Sequence, residues 1–228
     1  MLGENSKNSS FVYKLVMQQV RKPTLVEATP FLHVLYLGPP ASGKSERAKR
    51  TAKYLGFEMI EVSDELKRTQ DSEVLRYIAN GDLVPDPVVN RVLLDKLAER
   101  STSRVICGSA RSADQARDLY YFLCQRMSRV TVIDGMRSFD ECQALHMIRK
   151  LNENRVDDHS ASIEDRFTKY YSNIERVRSF FRSHIYPQNI HQVTFTDDID
   201  SDCQNILSKI QSTHSESFSM PNMVSAGQ

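Results

Sequence analysis

Short apolar runs alternate with longer stretches in which apolar residues recur every three or four positions. Phe31, Leu32, Val34, Leu35 and Leu37 form the first run, dense enough for a strand buried on both faces. Residues 57–62, 104–107, 130–133 and 192–195 repeat that signature and predict four more strands. The intervening stretches carry the helical period. Residues 46–54 predict one helix, and residues 63–77 a second helical stretch with Ser63 or Asp64 as its cap. Val89, Val92, Leu93 and Leu97 line one face of a third helix. Residues 113–127, 139–150, 161–184 and 201–210 predict the remaining helices. Five strands alternating with helices imply an α/β fold, a parallel sheet with helices on both faces. Ligands of such sheets sit at the carboxyl ends of the strands.

The chemistry concentrates just after the first strand. Gly38, Pro39, Pro40, Ala41, Ser42, Gly43, Lys44 and Ser45 match the phosphate-loop pattern G-x-x-x-x-G-K-[ST], with Glu46 opening the following helix. Strand, glycine-bounded loop and helix N-terminus together make a nest of backbone N–H groups backed by the helix dipole. Lys44 is placed to reach the β- and γ-phosphates of a nucleotide, and the Ser45 hydroxyl to ligate Mg²⁺. The chain has only 8 glycines, and two occupy the positions the loop demands. Ala41 requires only ordinary backbone on this reading.

Composition narrows the partners. A hydrophobic fraction of 40% and a charged fraction of 26% are ordinary for a globular domain. A formal net charge of +1 gives no global signal for nucleic acid or membrane. The 4 cysteines are scattered without zinc or disulfide spacing, and no apolar run is long enough to span a bilayer. A cytoplasmic protein is expected, a monomer whose partners are small nucleotides. Residues 1–30 read as an N-terminal extension with a helix at 11–21, residues 31–211 as the domain, and residues 212–228 as a polar, disordered tail.

Three further motifs follow in order. Gly81-Asp82-Leu83-Val84-Pro85-Asp86 precedes the third strand; Gly108, Arg111 and Gln115 follow it; Arg155-Val156-Asp157-Asp158 and Arg166 follow the fourth. Taken singly, Arg155, Asp157 and Asp158 suit a solvated loop, Arg166 an exposed ion pair with Glu164 or Asp165, and Gln115 an ordinary surface residue. Their order and spacing relative to Lys44 resemble the nucleoside monophosphate kinases, adenylate kinases most closely, from about residue 32 to 207. The resemblance implies a P-loop NTPase-type five-stranded sheet with a helical acceptor-binding insertion at 63–98 and a short lid at 149–160. It implies transfer of the ATP γ-phosphoryl to a nucleoside monophosphate, most simply AMP, with ATP and Mg²⁺ as cofactors. A UMP/CMP kinase is the alternative acceptor reading, and a catalytically weak nucleotide-binding sensor or scaffold the alternative class. By the same resemblance Lys44, Arg111, Arg149, Arg155 and Arg166 surround the moving phosphoryl. Ser63, Lys67, Val84, Gly108, Arg111, Gln115, Asp157 and Asp158 bind substrate. Gln115 would read the adenine edge, since an amide offers both a donor and an acceptor. The lid has no cysteines and should carry no zinc.

The departures are equally specific. The family's Asp-Gly-(aromatic)-Pro-Arg appears here as Cys107-Gly108-Ser109-Ala110-Arg111. A thiol is a poor ligand for a hard cation that prefers oxygen, and without the proline the turn is expected to be rebuilt. Asp134, at the end of the fourth strand, is the hypothetical replacement for the missing metal-side carboxylate. Mg²⁺ dependence unchanged in Asp134→Asn would rule it out.

Overall fold

The computed structural model describes residues 30–79, 84–153 and 163–214. Its centre is a five-stranded parallel sheet of order β2-β3-β1-β4-β5. The strands are β1 (Leu32–Leu37), β2 (Glu58–Glu61), β3 (Arg104–Cys107), β4 (Arg129–Met136) and β5 (Ile190–Thr194). The helices are α1 (Lys44–Leu55), α2 (Val62–Arg68), α3 (Ser72–Ala79), α4 (Asp86–Ala98), α5 (Ala113–Gln125), α6 (Phe139–Glu153), α7 (Ile163–His184) and α8 (Ile199–His214).

The two-residue period of the strands sorts the core into two layers. Val34, Tyr36, Val105, Cys107 and Ile133 face α1 and α8, packing with Ala48, Ala52, Ile206 and Ile210. Leu35, Leu37, Ile60, Ile106 and Val132 face α4, α5 and α7, packing with Leu93, Leu119, Phe122, Val177 and Phe181. β1 and β3 are buried at every position, as the sequence pattern predicts, whereas the edge strands β2 and β5 each bury only one residue fully.

Several boundaries differ from the pattern-based expectation for physical reasons. The expected cap at Ser63 or Asp64 is absent: α2 starts at Val62 directly off β2, with Glu61 as N-cap and no side-chain cap bond. Strand β4 runs on through Asp134 and Gly135 to Met136, pairing with β5 as far as Thr194. Gly135 is tolerated there because Phe195 fills its side-chain space; a Cβ would lie 2.2 Å from the ring. Helix α8 continues to His214, three residues into the stretch read as tail, where buried His214 Nε2 meets Thr131 Oγ1 at 2.7 Å. The expected helix at 11–21, the first half of the G-x-L-V-P-D turn (residues 81–83), and the lid residues Arg155, Asp157 and Asp158 lie outside the described residues.

Candidate active site

The phosphate loop is held in shape by two left-handed residues and one buried arginine. Gly43 has φ 78° and Ala41 φ 56°. The expectation of ordinary backbone at Ala41 is therefore corrected: the loop needs a left-handed residue there, and alanine carries a steric cost that glycine would not. Arg47, only 1% exposed, lies under the loop. It donates to the Gly43 carbonyl at 3.2 Å, to the Thr196 carbonyl at 2.5 Å and through Nε to Asp202 Oδ2 at 2.9 Å. Its guanidinium also stacks 4.6 Å from the Phe195 ring centroid. A Cβ on Gly43 would sit 2.7 Å from Arg47 Nη1, so this glycine answers to both φ and space. Lys44 Nζ hooks back to the Pro39 carbonyl at 3.0 Å. Burial lowers the pKa of its ammonium, and nearby Arg111 and Arg166 push the same way against Cys107 and Glu61.

Above the loop opens a cleft of about 500 Å³. It gathers Ala41, Ser42, Gly43, Lys44, Ser45 and Glu46 with Ser63, Gly108, Arg111, Arg149 and Arg166, all expected at the site. It also brings in Lys49, Glu61, Leu145 and Ile148, which sequence reasoning did not assign. Lys49 lies one helical turn after Ser45, a spacing that was available in the sequence. Glu61 ends β2 at the carboxyl edge of the sheet, and its face follows only once the strand register is known. Five cationic side chains against two carboxylates give the cleft the charge a polyphosphate requires.

Other expected residues are not part of this lining. Lys67 is exposed on α2, and half-buried Val84 packs against the core layer that contains Leu93 and Leu119. Gly38, Pro39 and Pro40 precede the part of the loop that lines the cleft. Gln115 is 2% exposed, with both ends of its amide engaged. Nε2 donates to Asp86 Oδ1 at 2.7 Å, and Oε1 accepts from the Arg111 backbone N–H at 2.8 Å. Ser112 joins the same cluster, donating to Asp86 Oδ2 at 2.5 Å while capping α5 through Gln115 N–H. Asp86, at the first turn of α4, thus ties the turn before the third strand to the arginine loop after it. That loop is rebuilt around Gly108 (φ 81°) and Ala110 (φ 55°), with Arg111 Nε donating to the Gly108 carbonyl.

Asp134 does not reach this cleft. The strand period turns it to the opposite face, where Arg178 grips both of its oxygens at 2.8 and 3.1 Å. It lines a separate cleft of about 530 Å³ with Leu37, Val132 and Gln192. Among the described residues no three His, Cys, Asp or Glu side chains cluster to hold a metal by themselves. The donors that fit a nucleotide-borne Mg²⁺ are oxygen donors at the cleft: the Ser45 hydroxyl and the Glu61 carboxylate, whose Oε2 is buried without a hydrogen-bond partner. Cys107 is next to Ser45, at 3.7 Å between Sγ and Oγ. Burial and then the Glu61 carboxylate push its thiol up to about 12, and sulfur is a poor ligand for a hard cation that prefers oxygen.

The sequence profile of the family described as AAA domain matches residues 37–164, more than half of the chain. The chain belongs to the AAA domain family and is an adenylate kinase-like P-loop kinase. It is 28% identical over 197 residues to an adenylate kinase of Micrococcus luteus, covering 82% of this chain and 95% of that protein. An adenylate kinase of Thermococcus sibiricus is 27% identical over 186 residues, covering 66% of this chain and 83% of its own length. One of Mycobacterium leprae is 28% identical over 162 residues, covering 68% and 88%. The kinship of this P-loop kinase is with nucleoside monophosphate kinases. Among the described residues no helix is long and apolar enough to cross a membrane.

Proposed function

We propose that this kinase transfers the γ-phosphoryl of ATP to AMP, giving two ADP. The observation that carries the proposal is the facing of two phosphate-binding elements across one cleft. Lys44 and the α1 N-terminus form one wall, and Arg111, Arg149 and Arg166 converge from three other elements. ATP binding alone needs only the first wall. The second suits a phosphorylated acceptor, and planar guanidiniums suit the charge that spreads over a phosphoryl in flight. An acceptor phosphate is already anionic, so no general base is required. Mg²⁺, when bound with ATP, neutralises charge on the β- and γ-phosphates. The chain's own residues bind, align and screen: the loop N–H groups and Lys44 hold the donor, and Arg111 orients the acceptor phosphate. Arg149 and Arg166 complete the cationic cage.

AMP is favoured as acceptor by the similarity to proteins named adenylate kinase and by Gln115 four residues after Arg111. In this structure the Gln115 amide is occupied by Asp86 and the Arg111 backbone, so base reading by Gln115 would require exchange of those bonds. We assign residues 63–98 as the acceptor insertion and residues 149–160, including Arg155, Asp157 and Asp158, as a short lid. The test is coupled ADP production with ATP and Mg²⁺ against AMP, CMP, UMP, GMP and no acceptor. Turnover with AMP above the others supports the reading. Equal turnover without any acceptor refutes it.

A further inference from the structure

Phosphate binding alone does not explain the presence of Glu61 in the cleft. It stands among groups suited to anions, yet it is itself an anion. Its position is imposed by the sheet: β2 and β3 pair Glu61 with Cys107, and both fall on the face covered by α1. The carboxylate lies against bare backbone. A Cβ at Gly108 would be 2.7 Å from Glu61 Oε1 and 3.7 Å from Arg111 Nη2, so glycine there opens the room the carboxylate occupies. The other oxygen, Oε2, is buried and no N–H or O–H donor among the described residues reaches it; the carboxylate meets only the weak S–H donor of Cys107. A buried carboxylate oxygen without a donor is unfavourable, and beside a polyphosphate its charge would repel the ligand. A cation between them reverses both effects.

Two other candidates for the metal-side group are removed by geometry. Asp134 faces α7 and is held by Arg178, and Cys107 offers only a fully buried soft sulfur to a hard cation that takes oxygen ligands. Lys44 supplies a positive charge nearby, but its ammonium rests on the Pro39 carbonyl at the loop. Resting on the phosphate-cleft reading above, we propose that Glu61 is the carboxylate that holds the nucleotide's Mg²⁺ in this chain, with the Ser45 hydroxyl beside it. The acidic group has moved one strand across the sheet, from the end of β3 to the end of β2.

The test reads binding rather than turnover. The full chain is titrated with ATP by calorimetry in Mg²⁺ and in EDTA, and the ratio of the two affinities is compared between variants. The unmodified chain should bind Mg²⁺·ATP more tightly than metal-free ATP. In Glu61→Gln that ratio should fall on the order of 10- to 100-fold, while metal-free ATP binds as well as before or better. Adding Cys107→Asp to Glu61→Gln should restore the ratio, because the carboxylate returns to the neighbouring strand. Glu61→Asp, which keeps the charge on a shorter arm, should lower the ratio and serves if the glutamine variant fails to fold. An unchanged ratio in both single variants overturns the proposal. So does equal weakening of ATP with and without metal, which would make Glu61 a partner of Lys44. Absence of any ATP binding by the unmodified chain would refute the phosphate-cleft reading itself, and with it this inference.

Discussion

Replacing Asp202 with Ala should destabilise the whole phosphate-loop wall from a site the nucleotide never touches. Asp202 is 6% exposed. Its Oδ2 accepts from Arg47 Nε at 2.9 Å, Arg47 Nη2 at 2.5 Å and the Thr196 backbone N–H at 2.8 Å, while Oδ1 accepts from the Thr196 hydroxyl at 3.1 Å. Burial alone would raise its pKa. The Thr196 N–H and the Arg47 guanidinium outweigh burial and hold it below its ordinary value. Truncation leaves Arg47, 1% exposed, as an unpaired buried cation with only the Gly43 and Thr196 carbonyls to accept from it. Breaking one half of such a pair costs about 3–5 kcal/mol. For a domain of this size that is a fall in melting temperature of about 6–20 °C. Calorimetric or circular-dichroism melting measures it. The exposed pair Arg50–Asp200, one turn along α1, is the control, and Arg50→Ala should leave the melting temperature nearly unchanged. Equal shifts for Asp202→Ala and Arg50→Ala would refute the reasoning, since the buried position would then carry no special weight.

Three other outcomes follow from the same structure. Arg111→Lys keeps the charge but loses the planar fork, and should lower kcat/KM for the monophosphate about 10- to 100-fold in steady-state assays; no change would remove Arg111 from the acceptor site. His33 is buried in β1, and desolvation, with Arg104 and Arg126, lowers its pKa from 6.5 to about 4. The unfolded chain therefore takes up a proton that the folded one refuses, so stability is complete above about pH 6.5 and is lost as pH falls towards 4, by about 3 kcal/mol in total. Urea titrations from pH 7 to 4 should show that slope, and His33→Asn should flatten it. Gly135→Ala forces a Cβ to within 2.2 Å of the Phe195 ring and should cost about 1–3 kcal/mol by overpacking, seen as a lower melting temperature.

What the sequence disclosed and what it concealed divide along local and non-local lines. The phosphate loop was legible because its strand, its glycines and Lys44 are contiguous, and the apolar runs located all five strands. Facing was not legible. Asp134 lies two residues from the end of β4 and Glu61 ends β2, and only the strand register shows that one is turned to α7 and the other to the phosphate loop. Gln115 read as an available amide until the fold brought Asp86 to it across 29 positions of sequence. Arg47 read as an ordinary helix residue, because its partner Asp202 is 155 positions away. Ala41 and Ala110 in left-handed backbone could not be inferred from residue type, which favours glycine there. Ser63 looked like a cap because serine commonly is one, but β2 passes into α2 without a turn for it to close.

The central claim is that the cleft moves a phosphoryl group between two nucleotides rather than to water. Phosphorus-31 NMR of the full chain with ATP, AMP and Mg²⁺ follows every phosphate at once. The account predicts two ADP formed for each ATP consumed, no inorganic phosphate, and loss of the reaction in Lys44→Ala. Inorganic phosphate appearing at the rate ATP disappears, with AMP unchanged, would contradict it.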